Sequence, residues 1–176
     1  TKGFTEEEQL QAGLLSQGDK GVYDRFRGRV IWPIRDVTGQ TIGFGARKLF
    51  DDDQGPKYLN TPETPVYHKQ QVLYGLDLAK RDVSKTRRVV VVEGYTDVMA
   101  AHLAGVTTAV ATCGTSFGVE HIKLIRRIMG DDSGLGEVIF TFDPDAAGQK
   151  AAMRAFAEEQ RFAAQTFVAV APEGLD

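Results

Sequence analysis

Arg88-Val89-Val90-Val91-Val92-Glu93-Gly94-Tyr95-Thr96-Asp97 is the stretch on which the fold turns. Four successive valines suit a strand buried on both faces, because β-branched side chains pack well on a pleated surface. A carboxylate and a glycine end the strand, and a helical pattern follows. The same order recurs at Val138-Ile139-Phe140-Thr141-Phe142, which runs into Asp143-Pro144-Asp145-Ala146-Ala147-Gly148. Working outward, periodicity predicts strands over 88–92, 106–112, 137–142 and 166–171, with helices over 95–104, 117–129 and 146–160. Gly105 stands where a helix C-terminal glycine belongs, and Thr115 or Ser116 offers a cap for the helix after it. Alternating strands and helices predict an α/β fold with a mainly parallel sheet flanked by helices.

Open α/β sheets bind ligands outside the carboxyl ends of their strands. Glu93 and Asp143 fall at two such ends, Asp145 lies two residues past Asp143, and Asp97 opens the first helix. Carboxylates gathered at one point repel each other unless a proton or a cation intervenes. Magnesium, hard and oxygen-seeking, suits one or two carboxylates plus substrate phosphates. A single Asp at a strand–helix junction reads first as an N-cap. Two junctions carrying four acids favour a metal site, with Asp97 also readable as a first-turn helix acid. The expectation is metal-dependent phosphoryl transfer on nucleotides or nucleic acid.

The upstream half differs in character. Thr5-Glu6-Glu7-Glu8 predicts a capped helix with acids in its first turn, Leu10, Leu14 and Leu15 as its apolar face and Gly18 as its end. Residues 29–37 and 41–47 predict a hairpin around Thr38-Gly39-Gln40, with Pro33 pointing to an edge strand. Residues 51–65 read as a loop and 73–80 as a short helix. Residues 21–88 hold 13 Lys and Arg against 8 Asp and Glu, whereas residues 89–176 hold 6 against 12. A basic segment beside an acidic one suits a protein that holds a polyanion with one part and a metal with the other. On a strand, Arg25, Arg27 and Arg29 would share one face suited to a phosphate backbone. Lys57-Tyr58-Leu59-Asn60 brings a cation, a ring and an amide able to contact phosphate, base and sugar. A protected edge strand and a loop held by turn chemistry explain the same residues about as well.

The composition, 42% hydrophobic and 26% charged over 176 residues, is that of a globular chain. No apolar run reaches the length of a membrane span, so no membrane role is expected. The single cysteine, Cys113, excludes an internal disulfide framework and predicts a reducing, cytoplasmic setting, with the thiol as a buried small hydrophobe. His68, His102 and His121 lack ligand spacing and read as surface or capping groups. Thr1-Lys2-Gly3 reads as internal to a longer protein and Asp176 as a cut.

Glu-Gly-Tyr-x-Asp after a valine run, with Asp-x-Asp-x-x-Gly some 50 residues later, resembles the Toprim domain of primases, topoisomerases and certain nucleases. Arg25-Phe-Arg-Gly-Arg-Val-Ile-Trp-Pro-Ile-Arg-Asp36, Gly43-Phe-Gly-Ala-Arg47, Pro56-Lys-Tyr-Leu-Asn-Thr-Pro-Glu-Thr64 and Leu73-Tyr-Gly-Leu76 are similar, in order, to the catalytic core of bacterial DnaG-type primases. The resemblance covers nearly the whole chain. It implies a basic α+β subdomain over 1–87 and a Toprim domain over 88–176. It implies Glu93, Asp143 and Asp145 as catalytic and metal-binding residues, with Asp97 and Asp176 as further ligands of Mg²⁺ or Mn²⁺. Asp176 would open a third acidic segment that the chain leaves incomplete. Arg27, Arg29, Arg47, Lys57, Tyr58, Asn60 and Lys69 would hold nucleotide and template. The implied partners are single-stranded DNA, ribonucleoside triphosphates, the RNA–DNA hybrid and, through a C-terminal domain outside this chain, the replicative helicase. Zinc belongs to another domain outside it, and the setting is the bacterial nucleoid at replication forks. A Toprim topoisomerase or nuclease, a non-catalytic nucleic-acid-binding module and a flavodoxin-like regulatory domain are the rival readings. No tyrosine here sits in a context that marks a topoisomerase nucleophile.

Overall fold

In a computed structural model, which describes residues 2–130, 136–142 and 164–170, β-strands group into three sheets. β1 (Leu15–Gly18) and β2 (Gly21–Asp24) form an antiparallel pair. β3 (Arg29–Arg35), β4 (Thr41–Lys48) and β5 (Tyr58–Asn60) form an antiparallel sheet with β4 central. β6 (Leu73–Tyr74), β7 (Arg88–Val92), β8 (Ala109–Thr112), β9 (Glu137–Phe142) and β10 (Gln165–Val170) form the third, in the order β10-β9-β7-β8-β6. Only β6 runs antiparallel there. The expected α/β fold with a mainly parallel sheet and a preceding antiparallel hairpin is therefore present.

The valine run behaves as its composition demands. Val89 is fully buried, and Val90, Val91 and Val92 are each less than 10% exposed. Each such side chain contributes about 1.5–3 kcal/mol of burial. Val89 and Val91 face one core with Val138, Phe140 and Ile125, while Val90 and Val92 face a second with Val98 and Ala109. Two-sided burial follows from helices α2 (Leu76–Thr86), α3 (Tyr95–Leu103) and α4 (Val119–Met129). β6 and α2 precede residue 88, yet β6 pairs with β8 and α2 supplies Leu76, Ala79 and Val83 to the first of these cores.

Several upstream expectations are corrected. The capping box at Thr5 is real: the Glu8 N–H donates to Thr5 Oγ1 at 3.2 Å and the Thr5 N–H to Glu8 Oε2 at 2.7 Å. But α1 (Glu6–Gln11) stops early. Gly13 takes φ +70° against the Pro62 ring, so Leu14 and Leu15 leave the helix and Leu15 enters β1. Residues 25–28 form a turn rather than a strand, with Gly28 at φ +67°. Residues 58–60, read as loop, add an edge strand to β4. The helix expected over 73–80 begins only at Leu76, after Leu73 and Tyr74 have joined the large sheet. Pro33 lies on edge strand β3, one residue before a register shift, as a residue without an N–H requires. The helix expected over 146–160 lies outside the described residues, and among those described no helix is long and apolar enough to cross a membrane.

The cap of α4 is Gly118, not Thr115 or Ser116. The Gly118 N–H donates to His121 Nδ1 at 3.2 Å, so the ring proton sits on Nε2 and donates to the Lys69 carbonyl at 3.2 Å. His121 is 1% exposed, and burial pushes its pKa below the ordinary value despite the raising effect of the Lys69 and Val72 backbone. A histidine whose folded pKa is depressed binds its proton less readily in the folded than in the unfolded state. Stability is then full above pH ~6.5 and falls as pH drops through that value toward the folded pKa. The melting temperature should decline between pH 7 and pH 5.5. His121→Asn, which keeps an acceptor for Gly118, should lower stability at neutral pH and flatten that decline; an unchanged slope would remove His121 as its cause.

Candidate functional site: an acidic strand end beside a basic sheet

β7 continues to β8 on one side of itself, and the chain returns to β9 on the other. The crevice between β7 and β9 is thus the switch point of the sheet, where open α/β folds bind ligands. Val91 lies opposite Phe140 in parallel register, so the two strand ends lie side by side. Glu93 follows β7 there and is exposed. Asp143 and Asp145 follow β9 in sequence; they and Asp176 lie outside the described residues. Among the described residues no three His, Cys, Asp or Glu side chains gather as a metal site. The donor set anticipated from the sequence is carboxylate oxygen throughout, which fits a hard divalent cation.

Asp97 has a local task. Its Oδ2 accepts the Gly94 N–H at 2.8 Å, closing the first turn of α3. That is the first-turn role left open for it, and its other oxygen, Oδ1, accepts the Thr96 hydroxyl at 3.5 Å.

Strand register sorts the basic residues. Arg29 pairs with Lys48 and Val30 with Arg47, and Arg47 pairs in turn with Tyr58. Directly opposed residues share a face and neighbours alternate. Arg29 therefore points to one side of the sheet, and Arg47 with Tyr58 to the other. Arg29 is structural: its guanidinium donates to Asp53 Oδ2 at 3.0 Å and to the Pro56 carbonyl at 2.9 Å, with its side chain 4% exposed. Arg25 donates twice to the Asn60 carbonyl and once to Ser16 Oγ. Arg27 is exposed and has no hydrogen-bond or ionic partner among the described residues. Arg25, Arg27 and Arg29 all line one cavity of about 660 Å³ with Tyr23, Phe50 and Gln54. The shared-face argument for them fails with the strand, and Arg27 alone keeps its cation uncommitted.

On the opposite face, Arg47 and Lys57 each lie 5.9 Å from the centre of the Tyr58 ring, which is 43% exposed. A ring flanked by two cations can stack a base while the cations neutralise its phosphates. Lys69 is held at a fixed place: its N–H donates to Glu63 Oε1 at 3.1 Å, and its carbonyl accepts His121. That donation, with His68 assisting, holds the Glu63 carboxyl below the usual range. Asn60 turns its amide inward, toward Tyr95 and Cys113.

The sequence reading missed Trp32 and Gly45. Gly43 and Gly45 sit two apart on β4 and so open one face of the strand, where Tyr67 and Tyr95 press against the backbone. Two glycines at that spacing in a strand are the available signal for close packing.

Similarity to known proteins follows this arrangement. A family model for the DNA primase catalytic core, N-terminal domain, matches residues 1–80, and one for the Toprim domain matches residues 87–170. The chain belongs to the DnaG-type DNA primase family. It is 64% identical over 175 residues to a DNA primase of Streptomyces coelicolor, covering 99% of this chain and 27% of that protein. The chain thus spans about a quarter of the length of that curated relative. The RNA polymerase domain of Mycobacterium tuberculosis primase DnaG matches with a TM-score of 0.90 at 60% identity, over 99% of this chain and 57% of that one. The same domain in complex with a double-stranded DNA oligomer carrying a 6-nucleotide overhang matches with a TM-score of 0.88 at 60% identity, over 99% and 55%. The match over 1–80 separates the primase family from the Toprim topoisomerases and nucleases, and equally from a flavodoxin-like domain.

Within the primase frame, Arg27 and Arg29 should differ sharply. Arg27→Ala in the parent protein should weaken single-stranded DNA binding and reduce the slope of log affinity against log salt by about 0.7, with stability unchanged. Arg29→Ala leaves Asp53 Oδ2 and the Pro56 carbonyl without the guanidinium that donates to them and should cost ~1–3 kcal/mol of stability. Equal salt slopes in the wild type and Arg27→Ala would make Arg27 structural as well.

Proposed function

We propose that this chain is the central part of a primase core that copies single-stranded DNA into short RNA primers. Residues 1–87 serve template and nucleotide contacts, and residues 88–176 serve metal binding. The observation that carries the proposal is the parallel pairing of β7 with β9 at the switch point, which sets the Glu93 junction beside the strand that runs into Asp143. Glu93, Asp143 and Asp145 would hold Mg²⁺ or Mn²⁺, with Asp97 and Asp176 as further ligands. Divalent cations there supply charge neutralisation on phosphates and a lowered pKa for the attacking 3′-hydroxyl. Arg47, Lys57 and Lys69 hold the triphosphate and template backbone, and the Tyr58 ring stacks a base. Arg27 adds a backbone contact from the other face of the small sheet. Ribonucleoside triphosphates, the growing hybrid and, through a helicase-binding domain of the parent, the replicative helicase are the partners, at forks in the bacterial cytoplasm.

The test is incorporation of labelled ribonucleotides on single-stranded DNA by the full-length parent, with and without Mg²⁺ or Mn²⁺. Template-dependent product that disappears on chelation is the expected result. A folded, DNA-binding parent that makes no RNA under either metal would overturn the proposal.

A further inference from the structure

We infer that the Tyr95 hydroxyl, held by Asn60, is the positioning group that fixes the Glu93 corner against the basic sheet. The inference rests on the proposed metal role of Glu93. Tyr95 is the first residue of α3 and stands two residues beyond Glu93. Its ring, 5% exposed, is confined on several sides. Trp32 lies flat against it at 5.5 Å and 9°, and Tyr74 meets it edge-on at 4.7 Å and 90°. Gly45 completes the slot: a Cβ added there would lie 2.3 Å from Tyr95 Cζ. The Trp32 indole N–H also reaches along α3 to Met99 Sδ at 3.0 Å. These contacts fix the ring plane and bring the hydroxyl to Asn60 Oδ1 at 2.8 Å.

Asn60 is itself pinned. Its Nδ2 donates to the Cys113 carbonyl just past β8 at 2.9 Å, and its own carbonyl accepts Arg25 at 3.0 and 3.2 Å. One amide thus ties β5, the end of β8 and the start of α3. Asn60 lies two residues from Tyr58 on the same strand, so both belong to one face of the small sheet. A continuous path runs from the exposed ring that Arg47 and Lys57 flank, through Asn60 and Tyr95, to Glu93. Asn60, anticipated as a nucleotide contact, acts on this geometry through Tyr95 rather than by touching nucleic acid.

An ordinary buried hydrogen bond would add stability and nothing more, and the same core supplies the control. Tyr67 packs in the same cluster as Tyr95, fully buried, and its hydroxyl faces the Cys113 thiol, as that of Tyr95 also does, but makes no well-directed hydrogen bond among the described residues. Tyr95→Phe and Tyr67→Phe delete the same atom from the same core, and only the first cuts the path to Glu93.

The test uses the full-length parent: wild type, Tyr95→Phe, Tyr67→Phe, Asn60→Ala and the Tyr95→Phe/Asn60→Ala double variant. The readouts are Mn²⁺ affinity from loss of the free-ion paramagnetic resonance signal, kcat and KM for ribonucleotide, single-stranded DNA affinity, and melting curves. Tyr95→Phe should weaken Mn²⁺ binding about 5-fold and lower kcat about 10-fold, because small misplacement of reacting groups is costly. Its DNA affinity should stay within about twofold, and Tyr67→Phe should match wild type in Mn²⁺ binding, kcat, KM and DNA affinity while melting no lower. The double variant should be no worse in kcat than Asn60→Ala, since one path cannot be cut twice. Tyr95→Phe equal to wild type in both Mn²⁺ binding and kcat would overturn the inference. So would equal losses in the two phenylalanine variants, or a Tyr95→Phe protein that has unfolded and lost DNA binding. A wild-type parent that makes no RNA would overturn the proposed function instead, and the Mn²⁺ comparison would still decide this coupling.

Discussion

Glu93→Gln in the full-length parent should reduce ribonucleotide incorporation by roughly 10³-fold while leaving single-stranded DNA binding intact. The substitution is nearly isosteric and removes one negative charge. Glu93 is exposed just past β7 and the amide keeps its size and hydrogen-bonding reach, so stability should stay within about 0.5 kcal/mol. The proposed chemistry has a large stake: the electrostatic contribution of a divalent cation to phosphoryl transfer is worth several kcal/mol, and ~4 kcal/mol is about 10³-fold in rate. The DNA contacts assigned to Arg47, Lys57 and Tyr58 belong to other elements and should persist. Fluorescence anisotropy on a labelled template, run beside the incorporation assay, separates the two. Full incorporation by Glu93→Gln would remove Glu93 from the site, and loss of DNA binding with it would make the residue structural.

Gly45→Val should be the most damaging substitution for the fold. Its Cβ alone would lie 2.3 Å from Tyr95 Cζ and 2.5 Å from the Tyr95 hydroxyl oxygen, and valine adds two methyl groups beyond that. The ring cannot swing aside, because Trp32 and Tyr74 already enclose it. Overpacking a closed core costs ~1–3 kcal/mol and more where the neighbours are rigid. At about 2–4 °C per kcal/mol for a chain of this size, the melting temperature should fall by roughly 5–12 °C. Primer synthesis should fall with it, since Tyr95 leads directly to Glu93. A melting curve that matches wild type would mean the slot can widen, and the confinement of Tyr95 would be far weaker than its contacts imply.

The parallel centre of the large sheet was legible because β7, β8 and β9 are apolar on both faces, whereas two-residue β6 was read as helix. A valine run cannot be a surface helix, and β7 and β9 lie where periodicity puts them. The position of Glu93 was legible for a related reason, since a carboxylate straight after a buried strand has only the strand end to occupy. The small sheet was harder to read. Its β3–β4 hairpin lies where alternation puts it, but β5 is three residues long, and Tyr58–Asn60 looks like loop until β4 is seen beside it. Arg29 shows the limit most clearly. Composition marks it as a phosphate ligand, but register sets it on the face opposite Arg47, where Asp53 claims it. Asp53 is 24 residues away in the chain, and no local pattern announces that pairing. The inward turn of Asn60 is long-range in the same sense, for its partners Tyr95 and Cys113 lie 35 and 53 residues on.

The mixed parentage of the core cluster that joins the two sheets has a consequence for synthesis. Ile34, Tyr67 and Val72 come from the first half of the chain, and Tyr95 and Cys113 from the second. On a ribosome the first three emerge with Trp32 well before their partners exist. The 46 residues from Tyr67 to Cys113 take on the order of 2–9 s to add at bacterial elongation rates. For that interval the nascent chain carries an open aromatic face and a glycine-lined slot with nothing to fill it. Vectorial translation thus leaves the future junction uncovered until the second half of the chain has been made.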